Sequence, residues 1–231
     1  FSAQRAEMYC RAIAHNIFCF LLDFLNGTFY NTNYLYCDFF LFFMRILNYD
    51  ELKIEKPLII DAIIRGAVFI YPTDTIYGIG CNAQLSPAVK KVRQIKSRAA
   101  NPFSVIAPSL DWIRENCIVT KEGEEWLEKL PGPYTLIFKL KSNCVAKEVN
   151  PGLRTLGIRI PNHWIRNIVA ETDVPVVTTS VNRSSEDYMT SLDDLDSSIR
   201  SGIDFVLYEG KKEGRPSKIF DLTENVKVIE R

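Results

Sequence analysis

The chain alternates short apolar runs with longer segments in which apolar residues recur every three or four positions. Residues 68–71 and 174–178 are short, apolar and rich in β-branched side chains, which is typical of strands buried on both faces. Residues 134–140 alternate instead, as a strand with one solvent-facing side does. Residues 50–65 have helical spacing, and Pro57 should kink this helix or restart it.

The other predicted elements rest on capping residues and spacing. Ser86 and Pro87 should open a helix as its N-cap and first residue, and Ser109 should cap a short helix. The remaining predicted helices are 121–130, 164–169 and the acidic segment 190–199, and the remaining strands are 103–107 and 205–208. Because strands and helices alternate irregularly, the pattern predicts a mixed α/β fold.

Residues 68–108 hold the densest candidate chemistry. Pro72, Gly78 and Gly80 break the regular backbone around a Thr-Asp-Thr cluster, so hydroxyl groups should line an irregular turn. The helix that follows carries five basic residues: Lys90, Lys91, Arg93, Lys96 and Arg98. Strand, turn and basic helix end would make a cradle for a phosphorylated ligand. On composition alone, a βα unit with a solvated basic face is the preferred interpretation.

The two basic residues at the end of this helix set a geometric condition. Lys96 and Arg98 are two residues apart and would not share one face of a regular helix. They converge on one ligand only if the helix ends near Ser97, which Pro102 favours by biasing Asn101 away from helical backbone. Three earlier basic residues are expected on the outer face of the helix: Lys90, Lys91 and Arg93.

Several segments, taken in order, carry a recognisable signature. They read Y-P-T-D-T-I-Y-G-I-G-C-N-A from Tyr71, K-x-R-x-x-N-P-F-S-V-I from Lys96, P-G-P-x-T from Pro131, G-I-R-I-P from Gly157, T-S-V-N from Thr179 and S-K-I from Ser217. This set resembles the Sua5/YrdC/YciO family, and the resemblance covers residues 44–231. Two positions depart from the family pattern: Val181 replaces the usual alanine, and Lys218 replaces a common threonine. The segment Arg183-Ser-Ser-Glu-Asp also stands where the family commonly has x-S-G-x-P.

The resemblance implies a fold and an activity. The fold would be YrdC-like, with a twisted open mixed sheet, flanking helices and a concave ligand groove. The activity would be that of an L-threonylcarbamoyladenylate synthase, a nucleotidyltransferase that converts L-threonine, bicarbonate and ATP to threonylcarbamoyl-AMP and pyrophosphate, with Mg²⁺ bridging the phosphate oxygens. The product would serve N6-threonylcarbamoyladenosine formation in tRNA, through a downstream threonylcarbamoyl transferase.

The resemblance also assigns roles to ten side chains, with no metal site built by the protein itself. Lys96 and Arg98 would be catalytic and bind the triphosphate. L-threonine would be bound by Thr73, Tyr77, Arg159 and Thr178, and the nucleotide by Thr135, Ser180, Asn182 and Ser217. Of these, Tyr77 is expected to wall the pocket rather than to transfer a proton. A lone arginine inside an apolar strand must be paired, and from the residues alone a structural salt bridge at Arg159 is the preferred interpretation.

Composition limits the other functions. Lys plus Arg equals Asp plus Glu at 28 each, whereas a protein that binds nucleic acid through bulk charge is usually more basic. A noncatalytic module that contacts tRNA or double-stranded RNA through the basic helix is the rival hypothesis, but it leaves the threonine-pocket residues without a role. The carbamoyl-adenylate chemistry of related hydrogenase-maturation domains is a further alternative, for which the acylphosphatase and zinc-finger parts are not found.

Cysteine and histidine usage narrows the chemistry further. Six cysteines show no C-x-x-C spacing, and the two histidines are His15 and His163. This argues against structural zinc and favours a reducing, cytoplasmic setting. Cys81 has no histidine nearby in sequence, so no nucleophile–base pair is predicted. Positioning and charge neutralisation remain, which suits phosphoryl and nucleotidyl transfer.

Residues 1–43 differ from the rest of the chain. They lack lysine and proline and are rich in Phe, Tyr, Cys and Asn. Their apolar runs at 17–22 and 39–43 are too short to span a bilayer, which needs about 20 residues. We interpret residues 1–43 as a dispensable or non-native leader and 44–231 as a YrdC-like domain; a membrane-associated or partner-binding segment is the rival interpretation.

Overall fold

One mixed β-sheet runs through the protein. The structure is a computed structural model that describes residues 44–98, 100–183, 186–224 and 226–229, so the predicted leader lies outside the described residues. The strands are β1 Arg45–Leu47, β2 Phe69–Tyr71, β3 Gly78–Gly80, β4 Ser104–Ile106, β5 Cys117–Ile118, β6 Tyr134–Leu140, β7 Thr155–Arg159, β8 Val176–Ser180, β9 Phe205–Leu207, β10 Lys218–Asp221 and β11 Lys227–Ile229.

The order of these strands is β1-β9-β2-β3-β8-β4-β7-β6-β10-β11, with β5 paired to β6. Parallel and antiparallel pairs are interleaved: β4, for example, runs parallel to β7 and antiparallel to β8. The predicted mixed α/β fold with an open mixed sheet is therefore confirmed.

Helices flank this sheet. They are α1 Tyr49–Ile64, α2 Ser86–Ile95, α3 Leu110–Asn116, α4 Lys121–Leu127, α5 Ile165–Thr172 and α6 Ser197–Arg200, with a 3-10 turn at Leu192–Asp194. Along the described ranges, no helix combines the length and the apolar character needed to cross a membrane.

The central strands are apolar throughout because both faces of the sheet are buried. In β2, Ile70 packs into one hydrophobic cluster, while Phe69 and Tyr71 pack into the other, which includes residues of α1 and α5. In β8, Val176 and Val177 divide between the same two clusters. Since side chains alternate along a strand, one short apolar run supplies both cores.

The helix α1 continues through Pro57 rather than restarting there. Two other local expectations about helices are wrong. Ser86 is the first residue of α2, and the N-cap is Leu85, which makes no side-chain cap hydrogen bond. The acidic segment 190–199 is not one helix, since the Asp194 carboxylate accepts hydrogen bonds from the backbone of Thr190 and Ser191. Such side-chain bonds compete with helical ones.

The end of α2 confirms the expected geometry. Ser97 has a left-handed backbone with φ of 49°, although it is not a glycine. The amides of Ser97 and Arg98 donate to the carbonyls of Gln94 (3.0 Å) and Arg93 (3.1 Å), the two bonds of a Schellman motif. The helix therefore stops at this point, and the chain turns sharply toward β4.

The approach of β3 to its neighbours depends on Gly80. The Tyr71 hydroxyl donates to the Val177 carbonyl at 3.1 Å, which lays the tyrosine ring across β3. A Cβ atom on Gly80 would stand 2.6 Å from a carbon of that ring and 2.7 Å from the Val177 oxygen. The Val177 oxygen belongs to the backbone, and a buried hydrogen bond holds the Tyr71 ring. Neither can easily move away from a side chain placed at Gly80.

We expect Gly80→Ala to lower the free energy of unfolding by about 2 kcal/mol, the usual scale for overpacking a core. The matched control is Gly78→Ala in the same strand, where the nearest atom to an added Cβ lies at 3.2 Å and belongs to the same ring. Chemical denaturation of both variants checks this. Equal losses at the two positions would contradict the steric argument.

Candidate active site

A cavity of about 490 Å³ opens where several segments of the sheet converge. Its walls come from the turn after β2, the starts of β6 and β10, the ends of β7 and β8, and Arg98 with residues 102–104. Eight of the ten predicted side chains line it: Thr73, Tyr77, Arg98, Thr135, Arg159, Thr178, Ser180 and Ser217. The other two, Lys96 and Asn182, lie behind Ser180 and contact it.

The turn after β2 is shaped by its own hydroxyl groups. The Thr73 Oγ1 atom is buried, donates to the Ile76 carbonyl at 2.8 Å and accepts from the Thr75 amide at 3.1 Å. It also lies 2.9 Å from the Thr75 hydroxyl. These bonds hold an irregular backbone that presents side chains to the cavity, as the Thr-Asp-Thr pattern predicted.

Arg159 is paired with a residue that the sequence analysis did not assign. Its Nη2 atom donates to the Asp74 carboxylate at 2.6 Å, and the two side chains are 6% and 11% exposed. The other Asp74 oxygen accepts from the Asn162 amide at 2.9 Å. A carboxylate within a turn motif and a lone arginine in an apolar strand were the available signals, since neither charge is stable when buried alone.

The Arg159 guanidinium is not fully hydrogen-bonded by the residues that the structure describes. Its Nε atom is buried and has no hydrogen-bond partner among the residues that the structure describes. Burial lowers the pKa of Arg159, and Asp74 opposes that shift. The expected structural salt bridge and a ligand role are therefore compatible, because a guanidinium has donors left after one carboxylate is bound.

Lys96 supports the end of β8 from behind the cavity wall. Its Nζ atom donates to the Ser180 carbonyl and to Asn182 Oδ1, both at 2.6 Å. Asn182 Oδ1 also accepts from the Ser180 hydroxyl at 2.7 Å. Burial, and after it the charge of Arg98, lowers the pKa of Lys96 to about 7. An anion bound nearby would favour the charged form and raise this pKa.

Arg98 faces the cavity itself. Its Nη2 atom donates to the Pro102 carbonyl at 3.2 Å, and its guanidinium lies 5.5 Å from the centre of the Phe103 ring. The two basic residues of the K-x-R motif thus have different positions: Arg98 is in the wall, and Lys96 is one layer behind.

The outer-face expectation for the earlier basic residues is wrong in one case. Lys90 is 60% exposed and Lys91 is 41% exposed, each near a carboxylate. The Arg93 guanidinium instead turns toward backbone carbonyls of the segment after α2, with its Nη1 atom 2.9 Å from the Arg98 oxygen. Lys90, Lys91 and Arg93 therefore do not form one solvent-facing basic surface on α2.

Two further contacts complete the walls. The hydroxyls of Thr135 and Ser217 lie 2.8 Å apart and join the start of β6 to the residue before β10. The Tyr77 hydroxyl donates to the Gly210 carbonyl at 2.6 Å and accepts from the Glu209 amide, so Tyr77 walls the cavity. Burial raises its pKa, which disfavours a role in proton transfer.

Two alternative kinds of chemistry find no support in the described part of the chain: a cysteine nucleophile at Cys81 and a metal centre. Cys81 is buried, and desolvation raises the pKa of its thiol to about 12, so it is a poor nucleophile. Across the described ranges, no three or more His, Cys, Asp or Glu side chains group in a way that could hold a metal ion.

Comparison with known proteins agrees with this geometry. The family model of Sua5, YciO and YrdC, described as "Telomere recombination", matches residues 61–231. The chain belongs to the Sua5/YciO/YrdC family. The resemblance seen in the sequence motifs is thereby confirmed.

Individual members of the Sua5/YciO/YrdC family show how far the similarity extends. A protein of Methanocaldococcus jannaschii, provisionally named threonylcarbamoyl-AMP synthase, is 35% identical over 79% of this chain and 87% of its own length. The Bacillus subtilis threonylcarbamoyl-AMP synthase is 31% identical over 67% of this chain and 48% of its own length. The structure of P. abyssi Sua5 complexed with L-threonine has a TM-score of 0.70 at 28% identity, covering 78% of this chain and 54% of that one. The chain thus spans about half of the latter two proteins.

The two single-residue departures from the Sua5/YciO/YrdC pattern do not reach the cavity. Val181 is 2% exposed and packs in a hydrophobic core cluster. Lys218 is exposed, and neither side chain is among those lining the cavity. The cavity surface therefore keeps the matched residues Ser180 and Ser217 beside these departures.

We expect Asp74→Asn to lower the free energy of unfolding by about 3 kcal/mol, because it leaves the buried Arg159 charge without a counter-charge. Asparagine keeps the size and an acceptor for the Asn162 amide, so the change isolates the charge. The matched control is Glu213→Gln, whose exposed pair with Lys211 is worth ~0.5 kcal/mol or less. Equal midpoints for both variants in urea denaturation would contradict the assigned role of the buried pair.

Proposed function

We propose that the chain is an L-threonylcarbamoyladenylate synthase, a nucleotidyltransferase whose active site is the cavity lined by Arg159 and Arg98. The observation that carries the proposal is a buried arginine with an unpartnered Nε atom at a hydroxyl-lined cavity. Support also comes from the synthase names of the relatives and from the L-threonine complex of P. abyssi Sua5.

The amino-acid substrate would be bound around Arg159. The unpartnered Nε donor would bind one oxygen of the L-threonine carboxylate, while Asp74 holds the guanidinium through its Nη2 atom. Thr73 and Thr178 bring small polar groups to the same cavity without filling it. A compact zwitterion with a hydroxyl side chain fits this set better than a larger or apolar amino acid does.

ATP would occupy the part of the cavity that contains Arg98, Thr135 and Ser217. Arg98 would neutralise triphosphate charge, and Lys96 would add positive potential from behind Ser180 while it fixes the end of β8. The Thr135 and Ser217 hydroxyls would exchange part of their mutual bond for contacts to the nucleotide. Magnesium would enter with ATP as Mg·ATP, since Mg²⁺ commonly keeps water and substrate phosphates as ligands.

The chemistry needs no covalent intermediate on the protein. The threonine amine attacks bicarbonate, water is lost, and a carbamate forms. A carbamate oxygen then attacks the α-phosphorus of ATP, the bond to the β-phosphate oxygen breaks, and pyrophosphate leaves. The residues of the cavity would act by alignment and by stabilising the charge that moves onto the leaving group.

The decisive experiment measures pyrophosphate release from ATP by the full chain. We expect release only when L-threonine and bicarbonate are both present, with threonylcarbamoyl-AMP as the coupled product. Release that ignores threonine, or hydrolysis of ATP to ADP, would overturn the proposal. Binding of double-stranded RNA without any turnover would favour the RNA-module hypothesis.

We expect Arg159→Lys to weaken L-threonine binding by about 30-fold, which corresponds to the loss of about 2 kcal/mol from a charge-assisted hydrogen bond. Lysine keeps the charge beside Asp74 but lacks the planar fork of donors. Calorimetric titration with L-threonine gives the affinity. Titration with ATP is the internal control and should change by less than about twofold; unchanged threonine affinity would remove Arg159 from the site.

A further inference from the structure

Arg93 connects two loops that form part of the cavity wall. Its Nε atom donates to the Glu148 carbonyl at 2.6 Å, and its Nη1 atom donates to the carbonyls of Arg98 at 2.9 Å and Asn101 at 3.2 Å. Its Nη2 atom donates to the Val149 carbonyl at 3.4 Å. One planar cation therefore holds backbone oxygens from two separate segments of the chain.

The segment that Arg93 holds carries cavity-lining side chains. Arg98, Pro102 and Phe103 all line the cavity, whereas Arg93 does not. The Arg93 guanidinium also lies over the Phe103 ring, 4.5 Å from its centre. The Phe103 amide also donates to the Val149 carbonyl at 2.8 Å. This backbone bond and the Arg93 side chain together join the segment after α2 to the segment that contains Glu148 and Val149.

The backbone conformation at the end of α2 explains why the segment that follows benefits from the Arg93 contacts. The chain leaves α2 through Ser97 in a left-handed conformation, which disfavours residues other than glycine. Burial, and after it the charge of Arg98, lowers the pKa of Arg93, while Glu148 opposes that shift. A strained turn that carries mutually repelling charges requires a restraint outside itself.

We propose that Arg93 is a positioning residue that fixes Arg98 and residues 101–103 so that Arg98 and the Phe103 wall meet the triphosphate of ATP. The inference rests on the proposed function for its ligand. It assigns a role in nucleotide affinity to a residue that touches no substrate. Lysine cannot replace it, because an ammonium has three donors on a single atom and cannot span carbonyls of two loops.

The test compares Arg93→Lys and Arg93→Gln with Arg200→Lys in the full chain. Arg200 is exposed at the end of α6, so Arg200→Lys controls for the effect of replacing an arginine by a lysine as such. We expect both Arg93 variants to weaken ATP binding about tenfold or more in calorimetry, and L-threonine binding by less than about twofold. A role confined to overall folding would reduce both affinities together.

Hydrogen exchange supplies a readout that does not depend on the proposed function. The backbone amides of residues 98, 101, 103 and 104 should exchange about tenfold faster or more in both Arg93 variants, at unchanged rates in β2 and β7. Wild-type exchange in this segment would overturn the inference. So would an Arg93→Lys variant with normal ATP affinity beside a defective Arg93→Gln variant, since charge alone would then suffice.

The two failures are distinguishable. A wild-type chain that binds neither ATP nor L-threonine would overturn the proposed function and the nucleotide part of this inference. The exchange rates would then decide alone whether Arg93 holds the segment.

Discussion

The buried ion pair between Arg159 and Asp74 is the constraint on which the site depends. The two residues are 85 positions apart, and their strands β7 and β2 are separated in the sheet by β4, β8 and β3. Either charge left alone in this interior would cost several kcal/mol, so the turn after β2 must close over the end of β7. The Thr73 and Thr75 hydroxyl bonds and the Asn162 amide are consistent with that closure. The fold thus gives a cavity whose polar walls are set before any ligand arrives.

Close packing around two glycine residues, Gly80 and Gly214, also holds the turn after β2 in place. Gly80 allows Tyr71 to cross β3 and bond to β8, and Gly214 approaches the Thr75 carbonyl so closely that an added Cβ would lie 1.8 Å from it. Glycine is therefore required on both sides of the turn for a steric reason rather than for backbone freedom. The cavity wall has little room to adjust to a larger side chain at either place.

Much of the fold could be predicted from the sequence, because alternation and apolar runs report directly on which faces are buried. The strand Tyr134–Leu140 was predicted at its observed bounds, and the end of α2 near Ser97 followed from the residues before Pro102. The positions of Lys96 and Arg93 could not be predicted in the same way. Spacing says which residues are close along a helix, but the left-handed Ser97 redirects the chain. The partners of Lys96 near residue 180 and two of the Arg93 partners, Glu148 and Val149, lie far away in sequence. Asp74 was missed for the same reason: it stands inside a quoted motif, yet only the tertiary structure shows that Arg159 is its partner.

The two charged groups at the cavity differ in how their charge is balanced, and this difference matches the two proposed substrates. Arg159 and Asp74 neutralise one another, so a zwitterion such as L-threonine can join them without adding net charge to a low-dielectric site. Lys96 and Arg98 are held by backbone and amide oxygens and form no ion pair with a carboxylate within the ranges described. An anion would relieve their mutual repulsion and favour the charged form of Lys96, and the triphosphate of ATP supplies several negative charges. A chain with zero formal net charge can therefore still recognise a polyanion, because its positive charge is concentrated where α2 ends and is left unpaired there.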